Sequence, residues 1–295
     1  MREVSVEGLQ QIGQGVSGII YRYDEDKVLK IFRDNYGLAQ VERAYNIARF
    51  VSESDVPTPK TYEMVQSGSN FGIISEFIDA SPLQISIYSG QIKRNDAGYR
   101  MGKLLRKVHA LKSADFVPPM RQMVGEIYDR CSPYITEDVK KEFLDFIDSF
   151  PGKGYVLHGD FHENNIMVRN DEFILLDLDS LCIGSPLFEF QQSFTVYRAE
   201  IPVEWQEKTH YTPKEAQEFI NTFLESYFET DDPELIREYD RIFSNLARLN
   251  MFAAKILQAP PEAAPVIGEY VKNELPNMRK LIQSAPEDFS RLPWK

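Results

Sequence analysis

Cysteine is almost missing: the 295 residues contain two, Cys131 and Cys182, far apart and outside any metal-ligand spacing. That leaves no cysteine metal site and reads as a chain of a reducing, cytoplasmic compartment. Met1 is followed by charged residues, not by an apolar signal segment. No uninterrupted apolar run approaches the roughly 20 residues that a membrane span needs, so no membrane partner is expected. Repeats and long Gly/Ser tracts are also absent, and 43% hydrophobic with 26% charged residues is the balance of an ordinary globular chain rather than a disordered one. Basic residues are in deficit. A net charge of -12 disfavours nucleic acid, whose phosphates are held by clustered Lys and Arg. The acid is concentrated in residues 151–295, where its field would favour a cationic ligand, although solvated helix faces account for such a bias equally well. No partner protein is evident.

What is present begins with strands. Residues 3–33 read as a β-meander: a turn, IGQGVSG, a β-branched run, GIIYRY, an acidic turn, DED, and then VLKIF. From Leu38 to Val51 the apolar residues recur at three and four, as in a helix, until PTPK stops it. TYEMV and FGIISEFI follow as strands around the turn QSGSN. Residues 95–149 are helical in period, with Met101, Leu104, Leu105, Val108 and Leu111 on one stripe and a break at Pro118 and Pro119. GYVL reads as a short strand, NIMV and FILLDL as a hairpin through RNDE, and the rest as helix. The expected fold class is α+β in two lobes. Residues 1–78 form a small β-rich lobe with one long helix, residues 79–295 a larger, mainly helical lobe, and the hinge lies near 76–82. A cleft between lobes is a common ligand site.

Three constellations carry chemistry. Gly13-Gln14-Gly15-Val16-Ser17-Gly18 has the GxGxxG pattern, but strand, turn and strand follow it, which excludes a dinucleotide-binding βαβ unit. A hairpin of this kind either lets backbone N–H groups approach phosphates or is simply a structural turn. Lys30 lies among apolar neighbours in VLKIF, where burial requires a partner unless its head reaches water; the next helix offers Glu42. Finally, HGDFHENNIMV runs into ILLDLDS. Asp160 to accept a proton from a hydroxyl, with Asn165 and Asp177 as hard oxygen ligands for Mg²⁺, is what phosphoryl transfer needs. His158 and His162 have the spacing of a helical zinc pair, but Gly159 and the strand that follows argue against a helix here.

In that order and at those spacings, GQGVSG, the lysine of VLKIF, a helical Glu, LLRKVHAL, HGDFHENNIMV and LLDLDS resemble the aminoglycoside phosphotransferase and choline kinase family, over about residues 8–190. The resemblance implies a protein-kinase-like fold and a phosphotransferase using ATP, or GTP, with Mg²⁺ and a small, hydroxylated and possibly cationic acceptor. It makes Asp160 the base, Asn165 and Asp177 the metal ligands with Asp179 assisting, Lys30 the phosphate contact and Glu42 its partner. Gly13, Gly15, Ser17 and Gly18 would cover the phosphates, Ile20 and Val28 would line the adenine, and the backbone of Glu76, Phe77 and Ile78 would form the hinge. His158 and His162 would support the loop. Eukaryotic protein kinases differ: they carry Arg where Gly159 stands, then DFG and a closing APE, and without these a small molecule is the better acceptor. Within the family, the run after the second Asp often continues GDP and then an aspartate. Here it is Gly184-Ser185-Pro186 and then Glu189, a longer substitute for the loop-bracing carboxylate. Glu189, Glu200 and Glu204 are candidates for the acceptor side. The nearby Phe190, Phe194, Tyr197, Trp205 and Tyr211 suit a cation, while Leu187, Phe190, Phe194 and Tyr197 also have the spacing of a helix core face. A catalytically silent nucleotide-binding module is the alternative, with a protein kinase behind it.

Overall fold

Alternation of side chains with a period of two organises the N-terminal residues of the computed structural model, which describes residues 1–15, 17–198 and 212–294. The meander forms β2 (Gln11–Gln14), β3 (Gly18–Arg22) and β4 (Lys27–Phe32), and the second strand pair forms β5 (Thr61–Ser67) and β6 (Asn70–Glu76). A short β1 (Arg2–Glu3) joins β5 in parallel, and the sheet runs β1-β5-β6-β4-β3-β2. One face buries Val4, Leu29, Val65 and Ile74. The other buries Phe32 and Ile73 together with Val41 of α1 (Leu38–Ser52), the helix expected from Leu38 to Val51.

A smaller sheet, in the order β10-β9-β7, is built from β7 (Ser81–Pro82), β9 (Ile166–Arg169) and β10 (Glu172–Leu175). The hairpin through RNDE is present, and Asn170 and Asp171 have φ of 50° and 64°, the left-handed pair that a two-residue hairpin turn requires. By packing, the chain divides into a unit of Met1–Ser86, Ala114–Val117 and Glu163–Asp179 and a unit of Ile87–Ser113, Pro118–His162 and Ser180–Lys295. The segment after HGDFH therefore packs with the N-terminal sheet.

The second unit is mainly helical: α3 (Arg94–His109), α4 (Met120–Arg130), α5 (Glu137–Asp148), α6 (Pro186–Arg198), α7 (Pro213–Phe228), α8 (Pro233–Gln258) and α9 (Ala264–Ser284); a short α2 (Leu83–Tyr88) leads into it. Pro118 and Pro119 separate α3 from α4 as expected. One stretch differs from the helix expected after FILLDL: β11 (Cys182–Gly184) is a strand and pairs antiparallel with β8 (Tyr155–Leu157). Three residues are too few to display a period, so a partner distant in sequence decides the conformation. Phe190 and Phe194 of α6 are fully buried, and the Phe190 ring stacks on Phe243 at 4.3 Å. The aromatic stripe is therefore the core face of a helix and not a cation cage; Trp205 and Tyr211 lie outside the described residues. No helix among the described residues is long and apolar enough to cross a membrane.

Candidate active site

In the first unit the glycine turn joins β2 to β3 and is closed by a Gly15 N–H to Gly18 carbonyl bond of 2.9 Å. Gly13 packs beside Ile20, whereas Gly15 has open space around it. Gly18 cannot be replaced without cost, because a Cβ there would collide with the Ile31 carbonyl oxygen. Strand register pairs Ile20 with Lys30 and Arg22 with Val28, so Ile20, Val28 and Lys30 share the sheet face that α1 covers.

Lys30 differs from expectation in its partner. Its Nζ lies 2.6 Å from Asp179 Oδ2 and 4.0 Å from Asp177 Oδ1, and the Ser17 hydroxyl donates to the same Asp179 oxygen at 2.7 Å. Glu42 is exposed on α1 and does not pair with Lys30. The cause is helical geometry: Val41 is fully buried, and one further residue turns the side chain about 100° away from the sheet.

The stretch 76–82, expected to be a hinge, lies within the first unit, which runs on to Ser86; there the Glu76 carboxylate accepts from the Arg169 guanidinium at 2.6 Å and from the Lys60 N–H at 3.1 Å. Burial pushes this carboxyl up, but Arg169 and Lys60 more than offset it and leave it below the usual range. The Phe77 N–H donates to Asp26, and the Arg22 guanidinium stacks 3.4 Å above the Phe77 ring. Ile78 is buried, and its N–H has no hydrogen-bond partner among the described residues.

The metal-ligand candidates are brought together locally. A bond of 2.7 Å from the Leu176 N–H to the Asn165 carbonyl aligns the chain after Asn165 with the start of the Asp177 turn. Asp177 itself has φ 53°, a left-handed conformation uncommon outside glycine and characteristic of sites where strain is retained. Asn165, Asp177 and Asp179 offer one amide and two carboxylates. This hard oxygen set suits a hydrated Mg²⁺ that takes its other ligands from phosphates. His158 and His162 lie outside any helix, so their four-residue spacing does not place them on one helix face.

The second unit holds the rest of the loop. Gly159 has φ 79°, and a Cβ on it would collide with the Ser180 carbonyl oxygen, so both conformation and space require glycine. His158 is fully buried, and its Nδ1 accepts the Asp160 N–H at 3.3 Å. Asp160 keeps its side chain 52% exposed, with His162 Nε2 3.4 Å from Oδ1.

Glu189 corrects its assignment to the acceptor side. It is completely buried, and its oxygens accept the His158 N–H at 2.5 Å and the Gly159 N–H at 3.0 Å, so it cannot meet an acceptor. It is the brace that the family spacing placed in doubt; its longer side chain spans the gap. Four residues on, on the same helix face, the buried Ser193 hydroxyl donates to the Phe161 carbonyl at 2.8 Å. No motif marks Ser193, although its i, i+4 spacing from Glu189 is visible in the sequence. Glu200 and Glu204 lie outside the described residues.

A β-sheet lobe with a glycine turn and a paired lysine, followed by a helical lobe with an HGD loop, defines the protein-kinase-like fold. Solved structures agree. A choline/ethanolamine kinase family protein from Mesorhizobium loti has TM-score 0.59 and 16% identity, over 96% of this chain and 90% of that one. An ADP-bound aminoglycoside phosphotransferase has TM-score 0.59 and 13% identity, over 96% and 94%. An amicoumacin kinase in complex with AMP-PNP, Ca²⁺ and Ami has TM-score 0.60 and 14% identity, over 100% and 92%. The chain belongs to the phosphotransferase enzyme family, whose model matches residues 8–239. Among curated protein sequences there is no significant match.

Proposed function

We propose that this phosphotransferase moves the terminal phosphoryl group of ATP or GTP to a hydroxyl of a small acceptor of aminoglycoside, choline or sugar type. The observation that carries the reading is the loop after β8. Glu189 and Ser193 hold its backbone from the buried side, and the Asp160 carboxylate is left half-exposed beside His162. A carboxylate so held accepts the acceptor's proton, and Asp160 is the base in this reading. Lys30 and Ser17 present an ammonium and a hydroxyl for phosphate oxygens, Gly15 has open space for close backbone approach while Gly13 and Gly18 shape the turn against Ile20 and Ile31, and Ile20 and Val28 form an apolar face for the adenine. The Ile78 N–H is the donor for the adenine, since the Glu76 and Phe77 N–H groups already bond to the Lys60 and Asp26 carbonyls, and the carbonyls of Glu76 and Phe77 are the acceptors of the segment. Mg²⁺, held by Asn165 and Asp177 with Asp179 beside them, would neutralise charge on the phosphates. An acceptor with cationic groups is favoured by the acidic second half of the chain, in which Glu200 and Glu204 are the remaining candidates. A cytoplasmic setting suits two buried, unpaired thiols. A protein acceptor has less support, because Gly159 occupies the position of the arginine that would dock a phosphorylated activation loop.

Asp160→Asn tests this directly. The variant is expected to bind nucleotide as the parent does and to lose transfer by about a hundredfold or more, since an amide cannot take the proton. Transfer is measured with ATP and GTP against a panel of amino sugars, choline-like alcohols, sugars and amino-acid alcohols. Comparable turnover by the variant on an acceptor found in that panel removes Asp160 as base.

A further inference from the structure

Behind Glu189 lies a second polar layer that the reaction does not use. His109, at the end of α3, is buried; its Nδ1 is 2.6 Å from the Tyr227 hydroxyl of α7, and its Nε2 is 3.6 Å from Glu189 Oε2. At that distance Nε2 has no hydrogen bond, and it is buried without any other partner. The two nitrogens cannot be assigned independently. If Nδ1 carries the proton in a neutral ring, the Nε2 lone pair faces a fully buried carboxylate, which is repulsive where the dielectric is low. If the phenol donates to Nδ1, Nε2 carries the proton and turns its positive end towards Glu189. Burial pushes the Tyr227 phenol far up, with Tyr155 and Glu189 adding, so the hydroxyl keeps its proton for that bond. The order of donors is then continuous: phenol to imidazole, imidazole towards carboxylate, and carboxylate receiving the two loop amides.

We infer that Tyr227 is a positioning residue for the loop bearing Asp160, acting through the tautomer of His109 and the carboxylate of Glu189. Its importance to catalysis rests on the phosphotransfer reading; its effect on the loop does not. Removing the hydroxyl leaves the buried Nδ1 without a partner, so the ring is no longer held with its Nε2–H towards Glu189 and the carboxylate is loosened from the His158 and Gly159 amides.

The test is hydrogen exchange of those two amides in the ligand-free chain, with the Phe143 amide in the core of α5 as the control for global opening. Tyr227→Phe is expected to speed exchange at His158 and Gly159 by about tenfold relative to Phe143, the effect of losing the one buried hydrogen bond between the Tyr227 hydroxyl and His109. His109→Gln keeps an N–H available to Glu189 without needing a phenol, so adding Tyr227→Phe to it should change the two amides little. Nitrogen-15 spectra should show His109 protonated at Nε2 in the parent. The inference is overturned if Tyr227→Phe leaves the two amides unchanged, if it accelerates Phe143 equally, if its effect is as large in the His109→Gln background, or if His109 is the Nδ1 tautomer. No nucleotide or acceptor enters the measurement, so failure of the phosphotransfer reading would appear separately, in the Asp160→Asn assay.

Discussion

At the level of single residues, the arrangement depends on a few side chains whose surroundings permit little else. Gly159 is required by φ and by the Ser180 carbonyl, and Glu189 by two amides that would otherwise be buried unsatisfied. Glu76 shows how a charge partner is expressed in stability. Its carboxyl titrates below the ordinary range because Arg169 and the Lys60 N–H outweigh burial. A depressed folded-state pKa contributes stability that is present above the unfolded value, about 4.3, and is lost as pH falls through the folded value. Arg169→Met should therefore cost about 1–2 kcal/mol at pH 7, with the penalty shrinking as the pH drops below about 4. Denaturant unfolding at both pH values checks this; an equal penalty at each would assign the effect to packing.

Elements meet at distances that decide which residues they tolerate. α3 and α7 approach so closely at Gly102 that a Cβ there would collide with the Phe223 carbonyl and the Ser226 hydroxyl. Gly125, inside α4, has nothing within 4 Å of the same position. Glycine in a helix is about 1 kcal/mol worse than alanine, so Gly125→Ala should stabilise by about that amount. Gly102→Ala should destabilise by about 1–3 kcal/mol, because overpacking against backbone exceeds the gain in propensity. Thermal unfolding of the two variants gives opposite signs if the helix contact is as described. Identical stabilisation would mean that α3 stands further from α7.

For the molecule as a whole, ligand linkage offers a test independent of any acceptor. A nucleotide that binds the folded chain alone stabilises it by about 2.7 kcal/mol at a hundred times its Kd. Adding ATP or GTP with Mg²⁺ should raise the melting temperature by several degrees, and Lys30→Ala or Asp177→Ala should diminish the shift. A melting temperature indifferent to both nucleotides with Mg²⁺ would remove the nucleotide reading.

Local pattern and tertiary closure divided the work unequally. The sequence by itself determined the strands around the glycine turn, the helix from Leu38, the RNDE hairpin and the order of the phosphotransferase motifs, because each rests on a short-range period or a turn chemistry that few residues satisfy. It also showed that Glu189 stood where a brace was needed. Only the tertiary structure decided that Lys30 pairs with Asp179, 149 residues away, rather than with Glu42, and that Tyr227 reaches His109 across 118 residues. A buried polar group takes whichever partner chain closure delivers, and spacing along the chain does not encode that closure.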